Sequence, residues 1–227
     1  MDVDDFTIDE LQLISDLDSR QFGFINLEDC PNNWIRDVIQ RAIAALQNII
    51  ILAHNNNINE NISPNSPTNK VKQEIPERNE MLLSWHNDCG ECTLGTKEEK
   101  PNFRDDEKYH DNKETIVQPE TYCKLGHLHL LVEEYYEALS AYQKYFKKKR
   151  KASYDLAFLY GLGIVYFHFN EFRWSIKSLQ LLLYLNPNFP CANEAHLRLG
   201  FMHKVLGDFK SAIKHYQLST VSHRPSI

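Results

Sequence analysis

Three short stretches of this chain carry side chains able to do chemistry. Cys89-Gly90-Glu91-Cys92 has the spacing of half a zinc site, and His86 stands three residues before its first thiol. A structural zinc takes four ligands in a tetrahedron, and no second Cys-x-x-Cys or histidine pair supplies the rest. Redox use would call for a strand-to-helix setting, which the polar surroundings do not offer. Solvated thiols are the reading here. His86-Asn87-Asp88 also has the His-x-Asp spacing found in two-histidine, one-carboxylate iron sites. Lys147-Lys148-Lys149-Arg150-Lys151 is a basic run that suits either a nuclear localisation signal or a solvated loop. No glycine loop for phosphate is present. No catalytic residue and no metal ligand is assigned.

What remains is recognition, and the elements that would position it repeat. Lys124-Leu125-Gly126, Gly161-Leu162-Gly163 and Arg198-Leu199-Gly200 align, with their final glycines 37 residues apart. Twelve residues after each comes Ala138, Ser175 or Ala212, and four further on Tyr142, Leu179 or Tyr216. Self-similarity at such a period marks a stacked repeat array. Phe158, Leu162, Val165, Tyr166 and Phe169 recur at helical spacing, predicting one face of an amphipathic helix. Glycine inside a helix costs roughly 1 kcal/mol against alanine, so it calls for a packing reason. Close approach of a second helix, through the small residue twelve positions on, is the expected one. Phe169-Asn170-Glu171 and Leu206-Gly207-Asp208 read as the turns between paired helices.

This pattern resembles the tetratricopeptide repeat (TPR), a helix-turn-helix unit. The resemblance implies an all-α fold, a TPR solenoid of three 37-residue repeats over 119–221. The period is longer than the usual one by residues best placed at Lys147–Tyr154 and Asn186–Ala192. His129 and His203 stand where that repeat prefers tyrosine, and Arg150 and Arg224 where it prefers proline. In a stacked array the first helices line a groove. By their offsets Cys123, His127, Leu130, Tyr160, Ile164, Phe167, Leu197, Phe201 and Lys204 should face it, a surface suited to an extended peptide or a partner helix.

Charge divides the chain of 227 residues. Residues 1–53 hold ten acids and three bases, 54–118 thirteen and eight, and 119–227 eight and fourteen. A basic array with an acidic leader binds acidic partners or folds the leader back. In residues 1–53, Thr7 and Glu10 form a capping box, and Ile35, Val38, Ile39, Ala42, Leu46, Ile49 and Ile50 predict a helix over 34–53 that caps the first repeat. Residues 54–118 read as a disordered insert, with Asn55-Asn56-Asn57 and two Ser-Pro steps. Residues 222–227 form a polar tail, which should leave Ile213, Tyr216 and Leu218 of the last helix uncovered. Five cysteines without a secretory signal argue for reduced thiols, and no run is long enough to span a membrane.

Several strings are more specific than a generic repeat. Asp18-Ser19-Arg20-Gln21-Phe22-Gly23-Phe24, Ala138-Leu139-Ser140-Ala141-Tyr142-Gln143, Ala157–His168 and Glu194–Gly200 resemble the region at and before the repeats in the UTX/UTY family of JmjC lysine demethylases. The resemblance covers about residues 11–53 and 119–221. For a full-length parent it implies Fe(II)- and 2-oxoglutarate-dependent removal of methyl groups from a lysine of the histone H3 tail. It also implies nuclear residence and docking into a chromatin complex with an MLL-type methyltransferase. The family's iron ligands sit on a barrel that these 227 residues do not form, so His86-Asn87-Asp88 is a chance match. The later repeats, the JmjC barrel and the zinc region are likewise outside this sequence. No cofactor is expected in the chain itself, nor direct binding of nucleic acid. The competing expectation is a stand-alone TPR adaptor or co-chaperone.

Overall fold

The computed structural model describes residues 6–25, 27, 33–61, 117–149 and 152–220. Among these the fold is all-α, with no strand. Eight α-helices follow in order: α1 Ile8–Asp16, α2 Asn33–Asn61, α3 Pro119–Leu131, α4 Tyr135–Lys148, α5 Leu156–His168, α6 Phe172–Leu185, α7 Ala192–Val205 and α8 Phe209–Thr220. The chain divides into two compact units, one of Met1–Ile49 with Gln118–Ile227 and one of Ile50–Val117. In the second unit the described residues are the last turns of α2, which run on to Asn61 instead of ending near Ala53, together with Val117. The first unit carries everything discussed below.

Its backbone is three helix pairs, α3 with α4, α5 with α6 and α7 with α8, each pair packed together and joined by three residues. The three turns repeat to the atom. Glu133, Asn170 and Gly207 stand 37 residues apart, and all are left-handed, with φ of 64°, 59° and 82°. Behind each, an amide reaches back to the preceding helix: Glu134 N to His129 O, Glu171 N to Tyr166 O and Asp208 N to His203 O, all at 2.9 Å. These bonds satisfy carbonyls that a helix end otherwise leaves open. The histidines that depart from the repeat pattern have a local use here. His129 Nδ1 meets Glu134 Oε2 at 2.6 Å and His203 Nδ1 meets Asp208 Oδ2 at 3.4 Å, in each case tying a first helix to the start of its partner.

A left-handed residue with a Cβ costs roughly 1 kcal/mol, and asparagine tolerates the conformation far better than glutamate. Glu133→Asn, which copies Asn170 at the equivalent turn, should therefore stabilise the chain by about 0.5–1 kcal/mol. At about 2–4 °C per kcal/mol for a domain of this size, thermal unfolding would shift upward by a few degrees.

The three aligned glycines do lie at helix contacts, but against a different residue from the one expected. A Cβ at Gly126 would sit 2.5 Å from the Tyr142 ring, at Gly163 2.7 Å from Leu179, and at Gly200 2.7 Å from the Tyr216 ring. The large residue sixteen positions on fills the glycine notch. The small residue between lets the helices close, and in the second pair it adds a bond from Ser175 Oγ to Gly163 O at 2.7 Å.

Helix α5 also corrects the expectation of one amphipathic face. Phe158 through Tyr166 are all buried, so this helix is apolar all round, as core helices are. Helices α4 and α6 cover part of it. The remaining side is closed by the leader.

Candidate functional site

The leader folds back onto α3 and α5, and it does so through backbone carbonyls more than through its carboxylates. Thr7 and Glu10 make the reciprocal capping box at the start of α1. At the other end Lys124 Nζ of α3 donates to the carbonyls of Ile14 at 3.0 Å, Ser15 at 2.9 Å and Leu17 at 2.7 Å. A cation at a helix C-terminus also meets the negative end of the macrodipole. Burial lowers the Lys124 pKa, opposed by the nearby Asp18 carboxylate.

Next comes a single 3-10 turn, Ser19–Gln21, which is capped by its own neighbours. Asp18 Oδ1 accepts from Arg20 N at 2.8 Å, and Gln21 Oε1 accepts from Asp18 N at 2.8 Å. Ser19 is completely buried, and its hydroxyl donates to Ala157 O at the start of α5, 2.5 Å away. It fits because position 161 is glycine, where a Cβ would lie 3.0 Å from Ser19 Cβ and would strike the Tyr142 hydroxyl. The aligned positions hold Lys124 and Arg198, so Gly161 breaks the repeat where Ser19 enters. Further on, Cys191 Sγ donates to Arg20 O at 3.5 Å and the Phe22 ring meets Tyr135 edge-on at 6.3 Å.

This docking decides what became of the expected groove. Cys123, His127, Leu130, Tyr160 and Ile164 are buried, not solvent-facing. Some of that burial is packing between helices: His127 Nδ1 lies 2.9 Å from Tyr142 OH, and Tyr160 lies against Phe189 at 5.5 Å. Beside them Ser19 covers Ala157 and Gly161. Phe167 is half-buried, between Phe172 and Phe201 and under the Arg198 guanidinium. In the third pair the same register is open, with Leu197 48% and Phe201 44% exposed and Lys204 exposed beside them. The last helix is uncovered too. Ile213 is 59% exposed, whereas its equivalents Leu139 and Ile176 are each 9% exposed.

A polar chain runs beneath the leader. Cys123 Sγ lies 3.3 Å from His127 Nε2, whose other nitrogen meets Tyr142, while Tyr145 OH donates to Asp155 Oδ2 at 2.8 Å. A thiol next to an imidazole has the outline of a nucleophile and its base. Burial and the Asp155 charge hold the Cys123 pKa far above its ordinary value. A buried, protonated thiol is inert. The chain's use is structural: Asp155 also accepts from Phe158 N at 3.1 Å and so caps α5.

Burial pushes the pKa of His127 down to about 4, against the raising influence of Asp18 and Asp155. Burial likewise takes the half-buried His215 to about 4, helped by His196 and His203. Both stay neutral when folded and take up protons near pH 6.5 when unfolded. Above pH 6.5 they leave stability unchanged. Between 6.5 and 4 the unfolded state binds more protons, so stability falls with pH. For His127 alone the loss is on the order of 3 kcal/mol at pH 4, at about 1.4 kcal/mol per unit. Thermal scans from pH 7 to 5 should show the fall, and His127→Gln should reduce its slope, leaving the part that His215 contributes.

Of the basic run, Lys149 is bound to Glu120 at 2.8 Å and lies over the Tyr145 ring, and Lys148 lies over Tyr122 at 5.7 Å. Arg150 and Lys151 fall outside the described residues, as do His86, Cys89, Cys92, most of the insert and the tail. Among the described residues no three metal-ligating side chains converge, and no helix is long and apolar enough to cross a membrane. Position-by-position reading missed Lys124, Ser19 and Gly161. Two signals were present: the Asp18-to-Gln21 capping pattern, and a glycine where the other copies carry a base. The chain matches no model of a known protein family.

Proposed function

We propose that the chain is a protein-docking scaffold of the tetratricopeptide type, an N-terminal region of a UTX-like histone demethylase that brings the enzyme into a nuclear complex with an MLL-type methyltransferase. One observation carries the docking role. A short peptide segment already sits on the first helices of two pairs, and the matching positions of the third pair, Leu197 and Phe201, are apolar and open. The strings quoted above are the support for the demethylase parent, whose Fe(II) and 2-oxoglutarate chemistry would belong to another part of that protein. In this reading the chain itself is catalytically inert. Purified chain given iron, 2-oxoglutarate and a methylated H3 peptide should show no turnover.

Binding is tested by gel filtration with a reconstituted MLL-type methyltransferase complex. The wild-type chain should co-elute, and Leu197→Asp with Phe201→Asp should not. Separate elution of the wild-type chain would overturn the chromatin reading and favour the second one, a stand-alone adaptor or co-chaperone. The leader's docking within the chain is the observation that favours that alternative.

A further inference from the structure

We infer that the face of α3 and α5 is a binding site for a short self-capped turn of the type Asp-Ser-x-Gln-Phe, filled in cis by Leu17–Ile25, and that a partner protein carrying such a turn exchanges for it. This rests on the scaffold reading and names the chemistry of its ligand. Three features make the segment a ligand and not one more piece of core.

The turn is preorganised by its own bonds. Asp18 and Gln21 cap each other's backbone, Arg20 is held to the Asp18 carboxylate, and Phe22 N donates to Ser19 O at 3.1 Å. A peptide that carries its bound shape locally loses little entropy on binding. The receptor is ready-made. Lys124 offers an ammonium to chain carbonyls, Ala157 offers a carbonyl to the serine hydroxyl, and Gly161 leaves the space that Ser19 enters. The flanking attachment is polar and at the surface: no residue of α1 is buried, Ile8 is 85% exposed, and α1 is held by the Glu10–Arg41 ion pair and by Lys124 on the Ile14 and Ser15 carbonyls. The segment is thus fixed by a few hydrogen bonds and by burial of Leu17 and Ser19, each at most 2% exposed. The chemistry also sets the specificity. A serine or another residue no larger is demanded at the centre, and an acid just before it caps the turn.

A tethered segment acts at an effective concentration on the order of millimolar, so a peptide in trans competes only when the cis copy is weakened. The test uses the full chain carrying Ser19→Trp, whose ring does not fit beside Gly161, and a fluorescent peptide of residues 14–27. Anisotropy should show the peptide binding the variant at least about tenfold more tightly than the wild-type chain. The same peptide with tryptophan for the serine should not bind. A folded variant that ignores the peptide would overturn the proposal. Should the variant fail to fold, hydrogen exchange on the wild-type chain decides. The amides of Phe22 and Ile25 should exchange through an opening that leaves α5 protected, and exchange in step with α5 would make the segment core and sink the idea. Neither measurement involves the methyltransferase complex, so failure here and failure of the chromatin reading are separable.

Discussion

Tyr142→Ala should bring the chain to the edge of unfolding at 37 °C. The ring is fully buried, fills the notch over Gly126, sends its hydroxyl past Gly161, and meets Phe158 edge-on at 5.4 Å. Truncating a buried aromatic costs about 3–5 kcal/mol. The change also strips the buried His127 Nδ1 of its partner, which adds about 1–3 kcal/mol. Against a total stability of about 5–15 kcal/mol, a sum of about 4–8 takes a large share, and all of it at the low end. Where a folded fraction survives, its melting temperature should fall by about 10–30 °C, at about 2–4 °C per kcal/mol. Tyr142→Phe keeps the ring and gives up only the hydroxyl bond, so it should cost about 1–2 kcal/mol. Circular dichroism melts of the two variants separate the contributions. Equal melts would show that the aromatic seat over Gly126 is not where the stability lies.

Gly126→Ala pits two effects of similar size against each other. Helix propensity alone favours alanine by about 1 kcal/mol. Overpacking opposes it with about 1–3 kcal/mol when neighbours cannot yield. Here the added carbon would stand 2.5 Å from a ring that is itself locked by Phe158 and His127, so the net result should be a loss. Gly163→Ala meets the flexible end of Leu179, and Gly200→Ala meets the half-buried ring of Tyr216 on the open end. The expected order of destabilisation is Gly126 over Gly163 over Gly200, with the last near neutral. Chemical denaturation of the three variants checks it, and a stabilised Gly126→Ala would contradict the close approach outright.

The repeat period, the helix-turn-helix order and the turns at Asn170 and Gly207 were legible because they rest on local rules: helical spacing of apolar residues, and turn residues placed between them. The capping box of Thr7 and Glu10 was legible for the same reason. The groove was not. A residue's offset along a helix says which way it points, but not whether something 107 to 171 positions away lies over it, as the leader does at Lys124 and Cys191. Nor does it show packing between helices: Tyr160 and Ile164 were expected to face the groove and are buried, Tyr160 against Phe189. The role of Tyr142 was missed in part for a related reason. The small residue at 138 is the conspicuous mark in the repeat, yet it is a side chain four positions on, long enough to cross the helix pair, that reaches Gly126.

The repeats carry an asymmetry: the leader docks on the first helices of two pairs, and the first helix of the third is open. Hydroxyl-radical footprinting of the full chain reads it directly, residue by residue. Leu197, Phe201, Val205 and Ile213 should be modified readily, while Leu17, Tyr160 and Leu128 are spared. Modification of Leu17 at a rate matching Leu197 and Phe201 would contradict the docking of Leu17–Ile25 on α3 and α5.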